Sequence, residues 1–323
     1  MANLAVSLSL LVGIVVFSEV ARRTASYLFP NRNWITYVLE FISTFQLCAC
    51  THELVLLAEV GGLEPQIGLT LTYLISVIHM LSFHGAICSP TGSLELLSRG
   101  TLTRRRALAQ ISCQMLAAVV ARLVMPRLWS LALSDLHELH TLMDFKCTNS
   151  PIHVPLLQAA AVELSCAFVF HSALSNQDKV EEKYQVHAIA AVITMLVYAG
   201  GHLTGAVFNP ALAFSILFHC PGNTFAEYGF VYWMGPILGL ESRCAWLHNL
   251  GASSPQDCHS DTQQVAMETT LIMSQTESTI SRCLWGVGEG TQERLAAVLF
   301  RGSCCSNSSL GQGQCWMRGA ESR

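Results

Sequence analysis

The chain has 323 residues, of which 51% are hydrophobic and only 12% are charged, and its mean hydropathy is +0.42. A soluble globular domain carries about twice that share of charged residues, so composition argues against a water-soluble protein. The net charge of -4 includes no long block of like charges, and the longest basic cluster is Arg104-Arg105-Arg106, which argues against nucleic-acid binding. Composition therefore indicates a membrane protein.

The apolar stretches between charged residues and helix breakers predict helices that cross a bilayer. Segments 65–94 and 184–226 contain no Asp, Glu, Lys or Arg over 30 and 43 residues, and each exceeds the roughly 20 residues that a crossing needs. In chain order, the predicted stretches are 4–17, 34–58, 67–87, 107–124, 156–174, 186–198 and 228–240. The first lacks a basic leader and a clear cleavage site, which favours an uncleaved anchor or an additional helix over a secretory signal.

The positive residues predict the sidedness of the connections. Three connections rich in Lys and Arg are expected on the cytoplasmic side: 22–32, 99–106 and 179–183. The connections at 59–68 and 221–227 carry neither residue and are expected on the opposite side. Arg127 and Lys146 in the loop 125–155 weaken this rule without overturning it.

The last predicted stretch is too short to cross a bilayer. Glu241, Ser242 and Arg243 follow Leu240 directly, and nothing downstream extends the apolar run. We therefore expect an incomplete last helix, followed at 241–323 by an atypical, disordered tail.

An internal repeat is visible in the spacing of unusual residues. Glu40 and Glu163 are carboxylates inside apolar stretches, and each precedes, by about 50 residues, an X-Pro triplet inside a charge-free run. The triplets are Ser89-Pro90-Thr91 and Asn209-Pro210-Ala211. Two halves with an odd number of spans each would be inverted in the membrane, with a solute path between them near the midplane.

The predicted organisation is an apolar segment with a basic linker at 1–33, a first repeat at 34–146, a second at 147–240 and the tail at 241–323.

Each triplet is expected to start a short helix, because Asn or Ser caps free amides and Pro lacks an amide to leave unsatisfied. Helices running to about Ser98 and His219 are too short to span, so they are predicted to be half-helices. Two half-helix N-termini meeting at the midplane would place two positive dipole ends there, which disfavours cations and protons. The Asn209 amide could donate to a passing oxygen, which suits water or small hydroxylated solutes.

Several segments resemble a known family. Residues 200–212, Gly-Gly-His-Leu-Thr-Gly-Ala-Val-Phe-Asn-Pro-Ala-Leu, resemble the second signature of the aquaporins, and Tyr232-Trp233 with Pro236 and Gly239 resembles the start of their last helix. Three shorter segments resemble the intracellular branch called superaquaporins: 39–41, 44–48 and 50–54. The resemblance covers about residues 34–240.

The resemblance implies an all-α integral membrane protein, a right-handed bundle of about six spanning helices with two half-helices in inverted repeats. It implies a multi-pass homotetramer that passes water, glycerol and hydrogen peroxide without a cofactor, in the endoplasmic reticulum membrane or else in another intracellular or the plasma membrane. No enzymatic activity is expected, because the sequence offers neither a nucleophile with a base nor a metal cluster. The implied pore constriction consists of Asn209, Pro210, Ala211, Ser89, Pro90 and Thr91. The implied roles elsewhere are a filter region at Leu212 and Ala206, loop-holding carboxylates Glu40 and Glu163, and assembly or gating at Cys220.

Three departures from the family pattern affect the expected function. Ser89 stands where the family has Asn, so one of the two amide donors is missing. Leu212 stands where orthodox aquaporins carry the filter arginine, a loss that the branch shares, so the outer constriction should be wider and more apolar. The expected end of the last helix at Leu240 is the third departure.

Other interpretations remain open at this stage. Glu40 or Glu163 could relay protons in a proton-coupled transporter, and a short last helix could leave a non-conducting protein that acts through partners. His137-Glu138-Leu139-His140 is one residue short of a zinc-protease motif. Five further histidines are scattered without metal-ligand spacing, and packing or a single hydrogen bond is the expected role of each: His79, His84, His171, His187 and His202. No metal site is therefore expected. Thirteen cysteines, an odd number, give no closed disulfide framework.

Overall fold

The computed structural model describes residues 2–28, 32–143, 145, 147 and 150–249, and the helices of this part account for most of its residues. The helices that precede and form the first half are α1 (Ala2–Leu28), α2 (Arg32–Glu59), α3 (Pro65–Ser82), α4 (Pro90–Ser98), α5 (Arg104–Trp129) and α6 (Asp135–Leu142). Those of the second half are α7 (Leu156–Ser175), α8 (Glu182–Thr204), α9 (Pro210–Ile216), α10 (Phe225–Gly229) and α11 (Gly235–Asn249).

Six of these helices are long and apolar enough to cross a membrane: α1, α2, α3, α5, α7 and α8. The all-α membrane fold predicted from the sequence is thereby confirmed. Equivalent helices pair in the two halves, since α2 packs on α5 as α7 packs on α11, and α3 packs on α8. This is the pairing that two repeats of three long helices and one half-helix predict.

The last helix continues past its predicted end. A π-helical turn at Phe230–Met234 joins α10 to α11, so helical backbone runs for 25 residues to Asn249. That length corresponds to about 37 Å, enough for a hydrocarbon core of about 30 Å. The expected end at Leu240 is therefore wrong by nine residues, because Glu241 does not break a helix and Arg243 is buried beside Glu95. The rest of the expected tail, 250–323, lies outside the described residues.

Two glycines let the last helix approach α7 closely. A Cβ atom at Gly239 would lie 2.4 Å from the carbonyl oxygen of Leu164, and one at Gly235 would lie 2.9 Å from that of Ala160. Backbone atoms of two membrane helices can come this near only where small residues line the contact. The first turns of α11 are thus fixed against the middle of α7.

The apolar stretch at 4–17 belongs to a much longer helix. α1 packs along α2 through a face that contains Leu11, Ile14 and Arg22, and Arg22 is buried with its Nη2 atom 2.8 Å from Oε1 of Gln46. The opposite face of α1 is exposed and apolar. The first stretch is therefore an additional helix that is attached to the bundle by packing and by one buried cation.

Both predicted half-helices are present. α4 has its predicted bounds, whereas α9 ends at Ile216, three residues before the predicted His219. Asn209 caps α9, since its Oδ1 atom accepts from the amides of Ala211 at 3.1 Å and Leu212 at 3.4 Å. Ser89 does not cap α4 with its side chain, and its hydroxyl lies instead 2.8 Å from that of Thr91.

Candidate functional site

The N-termini of the two half-helices meet inside the bundle. The Nδ2 atom of Asn209 donates to the carbonyl oxygen of Cys88 at 2.8 Å, across 121 positions of the chain. Asn209 and Ser89 are both buried. An amide group has two N–H donors, and Cys88 takes one of those of Asn209. The two sequence triplets, which the repeat predicted to lie together, therefore share one hydrogen-bonded centre.

Each half holds the loop before its triplet with one buried carboxylate. Glu40 accepts from the amides of Ile87 at 2.7 Å and Cys88 at 3.0 Å, and Glu163 accepts from those of Val207 at 3.2 Å and Phe208 at 2.6 Å. In both halves these amides are the two that directly precede the triplet. The carboxylates thus occupy equivalent positions in the two halves.

The same loops contain backbone conformations that non-glycine residues rarely adopt. The φ angles are 59° at Cys88, 45° at Ala206 and 36° at Phe208. Such residues cost on the order of 1–3 kcal/mol each and persist where surrounding contacts over-determine them. Hydrogen bonds from Cys88 and Phe208 to the buried carboxylates provide those contacts.

Further side chains complete the two carboxylate sites. Gln110 and Gln114 donate to Glu40 at 2.6 Å and 3.0 Å, and the Thr204 hydroxyl donates to Glu163 at 2.6 Å. Sequence reasoning did not identify these three residues. The only available signal was that Gln110 and Gln114, four residues apart, share one face of a helix that is otherwise mainly apolar.

A buried polar network extends from the first triplet to the last helix. Thr91 lies 3.3 Å from Nε2 of His171, and Nδ1 of His171 lies 2.6 Å from Oε2 of Glu95. The other carboxylate oxygen of Glu95 accepts from Arg243 and, at 2.6 Å, from Arg99. Glu95, His171 and Arg243 are all buried. The network therefore joins α4, α7 and α11 behind the first triplet.

The two residues expected in the filter region lie in different packing clusters. Leu212 is half-buried and packs against a cluster that includes Val207 and Tyr232. Ala206 is buried with Cys166 and Phe208. The geometry thus places Leu212 beside the Asn209 cap, and Ala206 inside the loop that Glu163 holds.

Cys220 forms a disulfide with Cys147, 73 residues away. This disulfide lies at the end of the bundle formed by the C-terminal ends of α2, α5 and α9 together with α6, which we call the disulfide end. The Glu53 carboxylate accepts from Trp129 at 2.8 Å there, and Nε2 of His137 lies 3.1 Å from its other oxygen. The connections at this end are those expected on the non-cytoplasmic side, where disulfides persist.

Comparison with known proteins gives consistent matches. The model of the major intrinsic protein family matches residues 65–247. Aquaporin-11 of Homo sapiens is 40% identical over 250 residues, which are 75% of this chain and 91% of that protein. Aquaporin-12 of Mus musculus is 37% identical over 244 residues, 74% of this chain and 84% of that protein. Aquaporin-11 of Milnesium tardigradum is 24% identical over 243 residues, 74% of this chain and 85% of that protein.

Proposed function

Because the chain belongs to the major intrinsic protein family of aquaporins, a family of membrane channels, we propose that it passes water and small uncharged solutes through each protomer. The resemblance found in the sequence, to aquaporins of the aquaporin-eleven type, is confirmed by the relatives it matches. The solutes, the membrane and the oligomeric state are parts of the proposal.

The meeting of the two half-helix N-termini is the observation that carries the proposal. Two positive dipole ends at one buried centre disfavour cations and hydronium ions. The remaining N–H donor of Asn209 can bind the oxygen of a passing solute, and backbone carbonyls before the triplets can accept from its hydrogens. This combination suits water and small polyols, and it disfavours cations.

Glycerol and hydrogen peroxide are proposed beside water because two polar groups are missing from the path. Leu212 supplies neither a fixed charge nor a donor, and the hydroxyl of Ser89 is already paired with Thr91. Without an arginine at the position of Leu212 the constriction is wider, which lowers the steric barrier to a solute larger than water. The second half, through Asn209, then determines most of the polar selection.

The two carboxylates are proposed to shape the loops rather than to relay protons. Glu40 accepts four described hydrogen bonds and Glu163 accepts three, from amides and polar side chains that also hold the positive-φ residues. A relay would have to release these contacts in each cycle. A short last helix no longer supports the non-conducting alternative, since helical backbone continues past Leu240 to Asn249.

Residence in the endoplasmic reticulum as a multi-pass homotetramer is proposed from the resemblance to the superaquaporin branch and, for the location, from the disulfide; another intracellular membrane or the plasma membrane is the alternative. The lumen of that organelle is oxidising, which suits the Cys147–Cys220 disulfide. The lipid bilayer, water and small neutral solutes are the proposed partners.

Solute uptake by vesicles reconstituted with Leu212→Arg tests the filter assignment. We expect glycerol and hydrogen peroxide uptake to fall several-fold relative to water flux, because the guanidinium adds a cation and donors at the constriction. Leu131→Arg is the matched control, since Leu131 is exposed in a connection. Unchanged glycerol uptake in Leu212→Arg, with normal water flux, would place the filter elsewhere.

A further inference from the structure

A second cluster of reactive side chains lies at the disulfide end, away from the half-helix N-termini. Cys147 comes from the connection between α6 and α7, and His219 and Cys220 follow α9. The two sulfur atoms and an imidazole nitrogen all lie within 4.8 Å of one another. Cys147 is partly exposed and His219 is exposed, whereas Cys220 is buried, so a small ion or reagent can reach the cluster from the solvent side.

The spacing fits a tetrahedral metal. The Sγ atom of Cys147 lies 3.5 Å from Nε2 of His219. Zinc bonds of about 2.3 Å to sulfur and about 2.0–2.1 Å to nitrogen, at a tetrahedral angle, separate these two ligand atoms by about 3.6 Å and two sulfurs by about 3.8 Å. The sulfur–nitrogen edge of such a site is therefore already present, and the two sulfurs need only separate once their bond is broken.

The ligand types also suit such a metal. Imidazole nitrogen and thiolate sulfur are both ligands that zinc binds in proteins. Two thiolates balance the charge of a divalent ion.

The oxidation state of the cysteines controls whether the ligands exist. In the disulfide, neither sulfur is a thiolate. A small-molecule dithiol cleaves the bond by thiol–disulfide exchange: it supplies two electrons and two protons, becomes a disulfide itself and leaves Cys147 and Cys220 as thiols. Binding of the metal then releases both thiol protons to solvent.

We propose that Cys147, Cys220 and His219 form a redox-controlled site for a borderline-soft divalent metal ion, such as zinc, at the disulfide end. The three side chains supply two sulfurs and one nitrogen, and the exposed side leaves the fourth position to water. Reduction creates the site and oxidation abolishes it. The site stands on its own geometry, independently of the proposed solute path.

Cobalt(II), a spectroscopic substitute for zinc, tests the site in the full chain held in lipid nanodiscs. After reduction with a dithiol and removal of the reagent, Co²⁺ should give thiolate-to-metal charge transfer and tetrahedral d–d bands, displaced by one equivalent of Zn²⁺ per protomer. The oxidised chain should give none of these bands. His219→Ala should weaken binding at least tenfold, since even outer-shell partners cost about 10–100-fold.

His153→Ala is the matched control, because His153 is also exposed near this end but is not part of the cluster. Cysteines beyond residue 249 can also take up cobalt after reduction, so the comparison of His219→Ala with His153→Ala decides the assignment. Equal binding by the two variants, equal binding by oxidised and reduced chains, or no bands after reduction would each overturn the proposal. Selective loss in His219→Ala supports it.

Discussion

Asn209 performs two tasks that Ser89, at the equivalent position of the first repeat, does not. Its oxygen caps α9, and its nitrogen bonds the carbonyl of Cys88 in the other half. The side chain of Ser89 is shorter than that of Asn209, and its hydroxyl is hydrogen-bonded to the hydroxyl of Thr91. The centre of the molecule is therefore chemically asymmetric, although its backbone elements are repeated.

Ser89→Asn should raise water flux per protomer by supplying the missing amide donor and capping α4 as Asn209 caps α9.

Asn209→Asp should lower flux several-fold, because a carboxylate cannot donate to Cys88 and brings a negative charge to the centre. Stopped-flow light scattering of reconstituted vesicles measures both, normalised to the amount of inserted protein. An unchanged flux in both variants would mean that the constriction lies elsewhere.

Residue types and spacing predicted both triplets and both carboxylates, because each departs from a simple apolar pattern. The same reasoning could not pair Cys147 with Cys220 or Glu95 with Arg243. These pairs lie 73 and 148 positions apart, and only the packing of α4, α9 and α11 brings their side chains together. Nor could reasoning from the sequence identify the role of His171, which bonds both Thr91 and Glu95.

At the scale of helices, the buried network fixes α4 to α7 and α11. Arg243 and Glu95 are both buried, and Glu95 also binds Arg99 and His171. Removing one partner of a buried ion pair strands the other charge, which costs about 3–5 kcal/mol, whereas replacing both partners with apolar groups is often near neutral. The half-helix of the first repeat is therefore held by the part of the last helix that the sequence did not predict.

Arg243→Leu should lower the free energy of unfolding by a few kcal/mol, reduced from the full value because Arg99 and His171 remain beside Glu95. Adding Glu95→Leu to Arg243→Leu should recover only part of the loss, because Arg99 and the buried His171 then lose their carboxylate partner. Thermal unfolding in detergent measures both, with Arg127→Leu as control, since the side chain of Arg127 donates, among the described residues, to a carbonyl oxygen of its own helix. A double variant no more stable than Arg243→Leu alone would contradict a pairing role.

Gly239→Ala should destabilise the contact between α11 and α7, because the new Cβ would lie 2.4 Å from a backbone oxygen that cannot move cheaply. Overpacking of this kind typically costs about 1–3 kcal/mol. Gly229→Ala is the matched control, since nothing lies within 4 Å of its Cβ position and alanine favours a helix. Equal melting temperatures for the two variants would show that the close contact between α11 and α7 does not contribute to the stability of the protein.

Helix positions were predictable from the sequence, whereas helix ends were less so. Charged residues at helix termini were interpreted as the ends of apolar stretches, so α1 and α11 are longer than predicted. The opposite error occurs at α3, which ends at Ser82 rather than near residue 87, because the amides of Ile87 and Cys88 bond Glu40 instead of a helix. The short helix α6 was not predicted, since it lies in a polar connection.

At the scale of the whole molecule, the described residues form two similar halves with an added N-terminal helix. Pairing of α2 with α5, of α7 with α11, and of α3 with α8 surrounds the two half-helices, whose N-termini meet once. The disulfide lies at one end, and the network of Glu95 runs from the centre towards α11. A path through the centre would therefore pass Asn209 whichever way a solute enters.

Osmotic water flux through vesicles that contain the full chain, with and without an imposed pH gradient, distinguishes a passive water channel from a coupled transporter and from a non-conducting protein. We expect faster shrinkage than in empty vesicles, the same rate with the gradient in either direction, and a slower rate for Asn209→Asp. Flux that follows the pH gradient would contradict a passive path and favour a proton-coupled transporter. No acceleration, with the protein demonstrably inserted and folded, would contradict the channel itself.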